Sequence, residues 1–116
     1  MQRVTLYHNP GCKSSRGAME LLNGRAIEFD TIEYLKHPPT RAALEQIIAI
    51  LEGPVADLVR KDKRFGELGL KAEDYVTRET VVALLLQHPE LMQRPIVIRA
   101  GRALIARPPE KLLALL

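Results

Sequence analysis

Cys12 is the one cysteine of the chain, and its setting suits a thiolate nucleophile better than an inert buried thiol. It follows the breaker cluster His8-Asn9-Pro10-Gly11 and precedes Lys13-Ser14-Ser15-Arg16, where a helix is expected to begin. Free amides at a helix N-terminus face such a sulfur and favour its charged form. That effect alone is too small. A free thiol with a pKa near ~8.5 is only ~3% ionised at neutral pH. The helix end contributes about 0.3–1 kcal/mol, whereas a two-unit drop in pKa requires about 2.7 kcal/mol. Another donor or cation must help, and His8, Ser15 and an arginine brought in by the fold are the candidates. A two-unit drop gains ~25-fold in thiolate but loses ~10-fold in intrinsic reactivity. Most of any catalysis must then come from stabilising charge on the substrate.

The span Cys12-Lys13-Ser14-Ser15 carries a second message. A dithiol oxidoreductase has cysteine at both ends of such a span, and here the far end is Ser15. If Cys12 is redox-active, no partner in its own chain can release it after one turnover. The second thiol must come from glutathione, a glutaredoxin or another small thiol protein. His8 could tune the thiol or contact substrate, and a surface histidine ending a strand is the competing reading. His37 and His88 each precede a proline at the end of an element and read as structural. No histidine has ligand spacing with carboxylates, so no metal is expected.

The cationic excess is carried by arginine, with eleven Arg among the 17 basic residues. Guanidinium suits planar, forked contacts with oxyanions. Three arginines have suggestive positions. Arg60 follows the apolar stretch Leu58-Val59, Arg94 precedes Pro95 and a buried strand, and Arg107 ends the last strand before Pro108. Three guanidiniums converging on one spot would repel one another unless an anion lay between them, and a tetrahedral oxyanion fits that role.

The elements that must position these groups are encoded along the rest of the chain. Arg3–Tyr7 alternates like a strand, Lys13–Leu22 reads as a helix, and Ala26–Ile32 reads as a second strand. Thr40 is a good N-cap for a helix with Leu44, Ile47, Ile48 and Leu51 on one face. Pro54 starts a short helix, Lys61–Gly69 reads as polar and irregular, and Thr77 caps a helix carrying Val81, Val82, Leu84 and Leu85. Ile96–Ile98 and Ala103–Ala106 form a hairpin around Ala100-Gly101. Pro108-Pro109 opens a last helix, with Leu112, Leu113 and Leu116 expected to point inward. The order β-α-β, helices, hairpin, helix predicts an α/β chain. Its first two strands should be parallel across a right-handed crossover, in a mixed four-stranded sheet. This is the outline of a thioredoxin-like fold with a helical insertion, in a single domain over residues 1–116.

The 116 residues, 47% of them hydrophobic and 27% charged, suit one ordinary globular domain. No apolar run reaches the ~18 residues of a membrane span. The start MQRVTLYHNP leaves no room for a secretory apolar segment, so a cytoplasmic protein is expected. A net charge of +3 is too small to argue for nucleic acid.

The segment Tyr7-His8-Asn9-Pro10-Gly11-Cys12-Lys13-Ser14-Ser15-Arg16 resembles the opening motif of the glutaredoxin-linked arsenate reductase family. Tyr34 to Arg41 is similar to its second stretch, and Leu58-Val59-Arg60-Lys61 to its third. Gln87-His88-Pro89, Arg94 to Ile98 and Leu104 to Pro108 are similar to its final signature. The likeness runs in register over essentially the whole chain, which resembles the short members of the family, YfgD-like proteins among them.

The resemblance implies that Cys12 attacks arsenate, that Arg60, Arg94 and Arg107 hold the oxyanion, and that His8 and Ser15 keep the thiol ionised. It implies no bound cofactor: glutathione is the co-substrate that displaces the arsenic adduct, and glutaredoxin completes the reduction to arsenite. Pro95 matches a cis-proline of the family. Two other readings stay open, a thiol protein acting on glutathione mixed disulfides and a regulator of the Spx type that binds RNA polymerase. Ser15 removes the two-cysteine switch common in such regulators, and the three arginines favour the enzyme.

Overall fold

The computed structural model describes residues 3–116. Four strands form one sheet: β1 (Val4–His8), β2 (Phe29–Glu33), β3 (Ile96–Arg99) and β4 (Arg102–Ile105), in the order β2-β1-β3-β4. β1 and β2 are parallel, with Tyr7 opposite Ile32 and His8 opposite Glu33. β3 runs antiparallel to both β1 and β4. Helix α1 (Lys13–Gly24) makes the β1–β2 crossover, and helices α2 (Arg41–Ile50), α3 (Lys63–Glu67) and α4 (Arg78–Gln87) lie between β2 and β3. This is the thioredoxin-like fold with a helical insertion that the order of elements predicts.

Alternation along the strands divides the core in two. Val4, Leu6, Val97, Leu104 and Ala106 face α1 and the C-terminal turn, packing with Ala18, Leu22, Leu112 and Leu115. Tyr7 and Ile96 face the insertion and join Tyr34, Leu44, Ile47, Leu58, Leu85 and Met92. The predicted caps hold. Thr40 Oγ1 accepts from the Ala43 N–H at 3.1 Å, and Thr77 and Thr80 form a reciprocal capping box.

Four sequence expectations are corrected. Residues 61–69 are not irregular: Asp62 caps α3, its Oδ1 accepting from Phe65 N–H at 3.2 Å. The buried Phe65 is the only apolar anchor of that turn, too little to register as a period. The strand expected from Ala26 begins at Phe29. Ala26 has φ of 55°, and the Ile27 N–H returns to the Leu22 carbonyl, so α1 closes through a left-handed residue with no glycine to signal it. Leu51 lies past α2 and pairs with Ala103 instead. The final helix, Pro109–Leu115, is 3₁₀. Its three-residue period buries Leu112 and Leu115, leaving Leu113 half-buried and Leu116 exposed. Both Arg94–Pro95 and Arg107–Pro108 are cis, the first as the resemblance implies.

Gly17 is where α1 meets this 3₁₀ turn. A Cβ there would stand 2.8 Å from Pro109 Cγ, on a ring that cannot swing away. Gly17→Ala should therefore lower stability by about 1–2 kcal/mol, despite alanine's better helix propensity. Thermal unfolding of the variant measures this, and a Tm at or above that of the parent would contradict the close packing.

Candidate active site

Cys12 sits where the chain turns from β1 into α1 and is the N-cap residue of that helix. The turn is stapled by its own polar groups. Asn9 Oδ1 accepts from Gly11 N–H at 2.9 Å, and the Asn9 carbonyl accepts from Cys12 N–H at 2.9 Å. The Arg16 guanidinium donates to the Pro10 carbonyl at 2.9 Å. Ser15 is fully buried one turn into α1, and its Oγ accepts from Asn9 N–H at 2.9 Å. The same Oγ lies 2.8 Å from His8 Nδ1, so the end of β1, the turn and the helix share one hydrogen-bonded centre.

Two arginines come to the sulfur's end of the sheet from the neighbouring strands β3 and β4. Arg107 follows β4, and its Nη1 lies 3.5 Å from Cys12 Sγ and donates to the Arg94 carbonyl at 3.1 Å. Arg94 precedes β3, and its guanidinium also addresses the thiol. Burial pushes the Cys12 pKa up, but the Ser15 and Ser14 amides and the Arg94 guanidinium outweigh it and hold the thiol below its ordinary value. This supplies the extra cation that the helix terminus lacks. Arg94 Nε is buried and has no hydrogen-bond partner.

Arg60 is placed differently. A short antiparallel pairing of Val59 with Met92 holds residues 58–60 to residues 91–93, and Arg60 N–H donates to the Leu91 carbonyl at 2.7 Å. The Arg60 side chain is mostly buried but spoken for. Its Nε donates to Asp62 Oδ2 at 3.1 Å and its Nη1 to Gln93 Oε1 at 3.2 Å. Asp62 stays ionised: despite some burial, the Phe65 N–H and Arg60 hold its pKa below the usual carboxylate range. Arg60 is thus engaged by Asp62 and Gln93, while Arg107 contacts the sulfur and Arg94 lowers its pKa.

The Ser15 main-chain N–H is among the groups that lower the Cys12 pKa, while the Ser15 hydroxyl is engaged with Asn9 and His8. His8 is buried rather than a surface residue. His37 is exposed, and His88 Nδ1 meets Glu90 at 3.2 Å. No group of three or more potential metal ligands occurs among the described residues. Sequence reasoning missed Asn9, Asp62 and Gln93. The Asn-Pro-Gly run signals a side-chain-capped turn, but nothing local marks the residues that hold Arg60.

Burial lowers the His8 pKa, and Arg16 adds to this, against weaker opposition from Glu33 and Ser15. The folded state therefore prefers the neutral ring. The stability this gives is fully present above the ordinary value of 6.5 and is lost as pH falls from there through the lower folded pKa. His8→Asn keeps a polar group near the Nδ1 position and has no proton to gain, so it should flatten that acid limb. Denaturant titrations from pH 7 downward read the slope, and an unchanged slope would contradict a buried neutral His8.

Comparison with known proteins follows the same lines. The profile of the ArsC family matches residues 7–115. The arsenate reductase of Escherichia coli (strain K12) is 40% identical over 117 aligned residues, which span 100% of this chain and 82% of that protein. The uncharacterized protein YfgD of the same strain is 36% identical over 97% of this chain and 95% of its own length. An arsenate reductase structure from Vibrio cholerae superposes with a TM-score of 0.88 at 32% identity, covering 99% of this chain and 98% of that one. With a lone thiol at the helix start and the whole fold shared in register, the chain belongs to the ArsC family.

Proposed function

We propose that this protein is a thiol-dependent arsenate reductase. The observation that carries the reading is Cys12 Sγ at the start of α1, 3.5 Å from Arg107 Nη1, with the Arg94 guanidinium lowering its pKa. A thiolate beside two guanidiniums both attacks an electrophilic centre and stabilises negative charge on its oxygens. With Cys12 and Asp62 ionised, Arg60, Arg94 and Arg107 retain a net positive charge, which favours an anionic guest. The full-length likeness to arsenate reductases supports arsenate as that guest.

In the proposed cycle the Cys12 thiolate attacks arsenic, a sulfur–arsenic bond forms, and one arsenate oxygen leaves as water after gaining protons. Arg60, Arg94 and Arg107 hold the remaining oxygens, while His8 and Ser15 hold the turn that presents the sulfur. Reduction from arsenate to arsenite takes two electrons, which two thiols supply by becoming a disulfide. The chain has one sulfhydryl, so at least one of these thiols comes from outside. A glutathione thiolate attacks the Cys12 sulfur, the sulfur–arsenic bond breaks with its electron pair on arsenic, and arsenite leaves; glutaredoxin then reduces the Cys12–glutathione disulfide and restores the thiol, with no resident cofactor. The cytoplasm, where glutathione keeps thiols reduced, suits this chemistry.

Cys12→Ser should abolish arsenate-dependent NADPH oxidation in an assay coupled through glutathione, glutaredoxin and glutathione reductase. Turnover by the native chain with none in the variant is the expected result. Equal rates in the two, or no turnover by the native chain, would overturn the reading.

A further inference from the structure

Beside the thiol site the surface opens into a cavity of about 600 Å³. That volume suits a small organic molecule, for which sites span roughly 300–1,000 Å³, and is more than one inorganic oxyanion fills. Arg107 and Gln93 line the cavity and also belong to the thiol site. Arg107 Nη1 lies 3.5 Å from Cys12 Sγ. Gln93 Oε1 accepts from Arg60 Nη1 at 3.2 Å and from Arg94 N–H at 3.4 Å. One side chain, Arg107, thus stands between the cavity and the sulfur.

The lining combines an apolar wall with charges of both signs. The buried Val59 and Leu104 and the half-buried Ile105 supply the wall. Lys61, Lys111 and Asp57 are exposed and line the same cavity. The side chains of Lys111 and Asp57 have no hydrogen-bond or ion-pair partner among the described residues. Lys61 Nζ donates to the Ala56 and Val59 carbonyls at 2.6 and 3.2 Å. These acceptors are neutral, so its charge stays uncompensated and one of its three N–H donors stays free. Glu52 also lines the cavity, but Arg102 holds both its carboxylate oxygens, at 2.6 and 3.1 Å. What remains for a guest is two ammonium groups, one carboxylate and an apolar wall, with Arg107 at the end next to the thiol.

We propose that this cavity is a binding site for glutathione, in which Lys61 and Lys111 pair with its two carboxylates and Asp57 with its ammonium group, leaving its thiol to reach Cys12 past Arg107. The inference rests on the thiol-dependent reading of the site and deepens it, giving the outside thiol that a one-cysteine chain requires a seat on the chain itself. Glutathione carries two carboxylates, one ammonium and one thiol on a short peptide, which is the inverse of the uncommitted charges around the cavity. An inorganic oxyanion has no use for Asp57 or for the apolar wall, and a small neutral thiol has no use for the lysines. The two co-substrates therefore bind in adjoining places, the oxyanion at the arginines and the thiol peptide in the cavity.

S-methylglutathione has no free thiol and binds without reacting, so calorimetric titration of it into the native chain, Lys111→Glu, Asp57→Asn and Arg78→Glu tests this. The native chain should bind. Lys111→Glu and Asp57→Asn should each lose about fivefold or more in affinity. Arg78 is exposed and outside the cavity lining, so Arg78→Glu should bind as the native chain does although it makes the same change in net charge as Lys111→Glu. All three replaced side chains are exposed, and circular dichroism should show the native fold in each variant. Equal affinities of the native chain and Lys111→Glu or Asp57→Asn would overturn the proposal. So would an equal loss in Arg78→Glu, which would show a response to net charge rather than a site. No binding by the native chain would also overturn it, while arsenate turnover in the coupled assay would leave the reductase reading standing. Binding without arsenate turnover would overturn that reading and leave the cavity as a glutathione site.

Discussion

The structure depends on keeping two guanidiniums and a sulfur together. Arg94 and Arg107 come from the approach to β3 and the exit of β4, and the Arg107 Nη1 hydrogen bond to the Arg94 carbonyl holds one side chain against the other residue's main chain. Like charges gathered at one site repel each other. A negative group between them reverses that sign. Cys12 is placed to be that group, and the Ser14 and Ser15 amides at the helix start share in stabilising it. Thiolate and cations are each unfavourable alone and favourable together.

The rest of the fold serves this cluster. The parallel pairing of β1 with β2 fixes the level of the turn after His8, and α1 delivers its amides to the sulfur. The hairpin of β3 and β4 brings both X-Pro segments to the same end of the sheet as that turn. The insertion contributes Arg60, but partly neutralised by Asp62 and tethered by Gln93. That restraint limits the repulsion a third full charge would add. The Ser15 hydroxyl, between Asn9 N–H and His8, locks the turn so that the sulfur does not drift from its partners.

Much of this was legible in the sequence where the signal is local. The Pro-Gly turn before Cys12, the Thr40 and Thr77 caps and the apolar stripe of Leu44, Ile47 and Ile48 follow from spacing and residue type. The need for an added cation followed from comparing the helix-end contribution with the shift required. Features that depend on tertiary placement were not legible. Ala26 takes a left-handed conformation without a glycine, a lone Phe65 anchors α3, and the last turn buries every third residue instead of following the α period. The same holds within the site. The three arginines looked equivalent, but only coordinates separate Arg94 and Arg107, at the thiol, from Arg60, held by Asp62 and Gln93. The partners of Ser15 and His8 were likewise set by packing rather than by their place in the motif.

Because the chain has a single cysteine, ultraviolet thiolate absorbance as a function of pH reports Cys12 alone. The account predicts an inflection below that of a free thiol, near ~8.5, in the native protein and a return toward it in Arg94→Ala. A native inflection at or above ~8.5, or one that Arg94→Ala leaves in place, would contradict it.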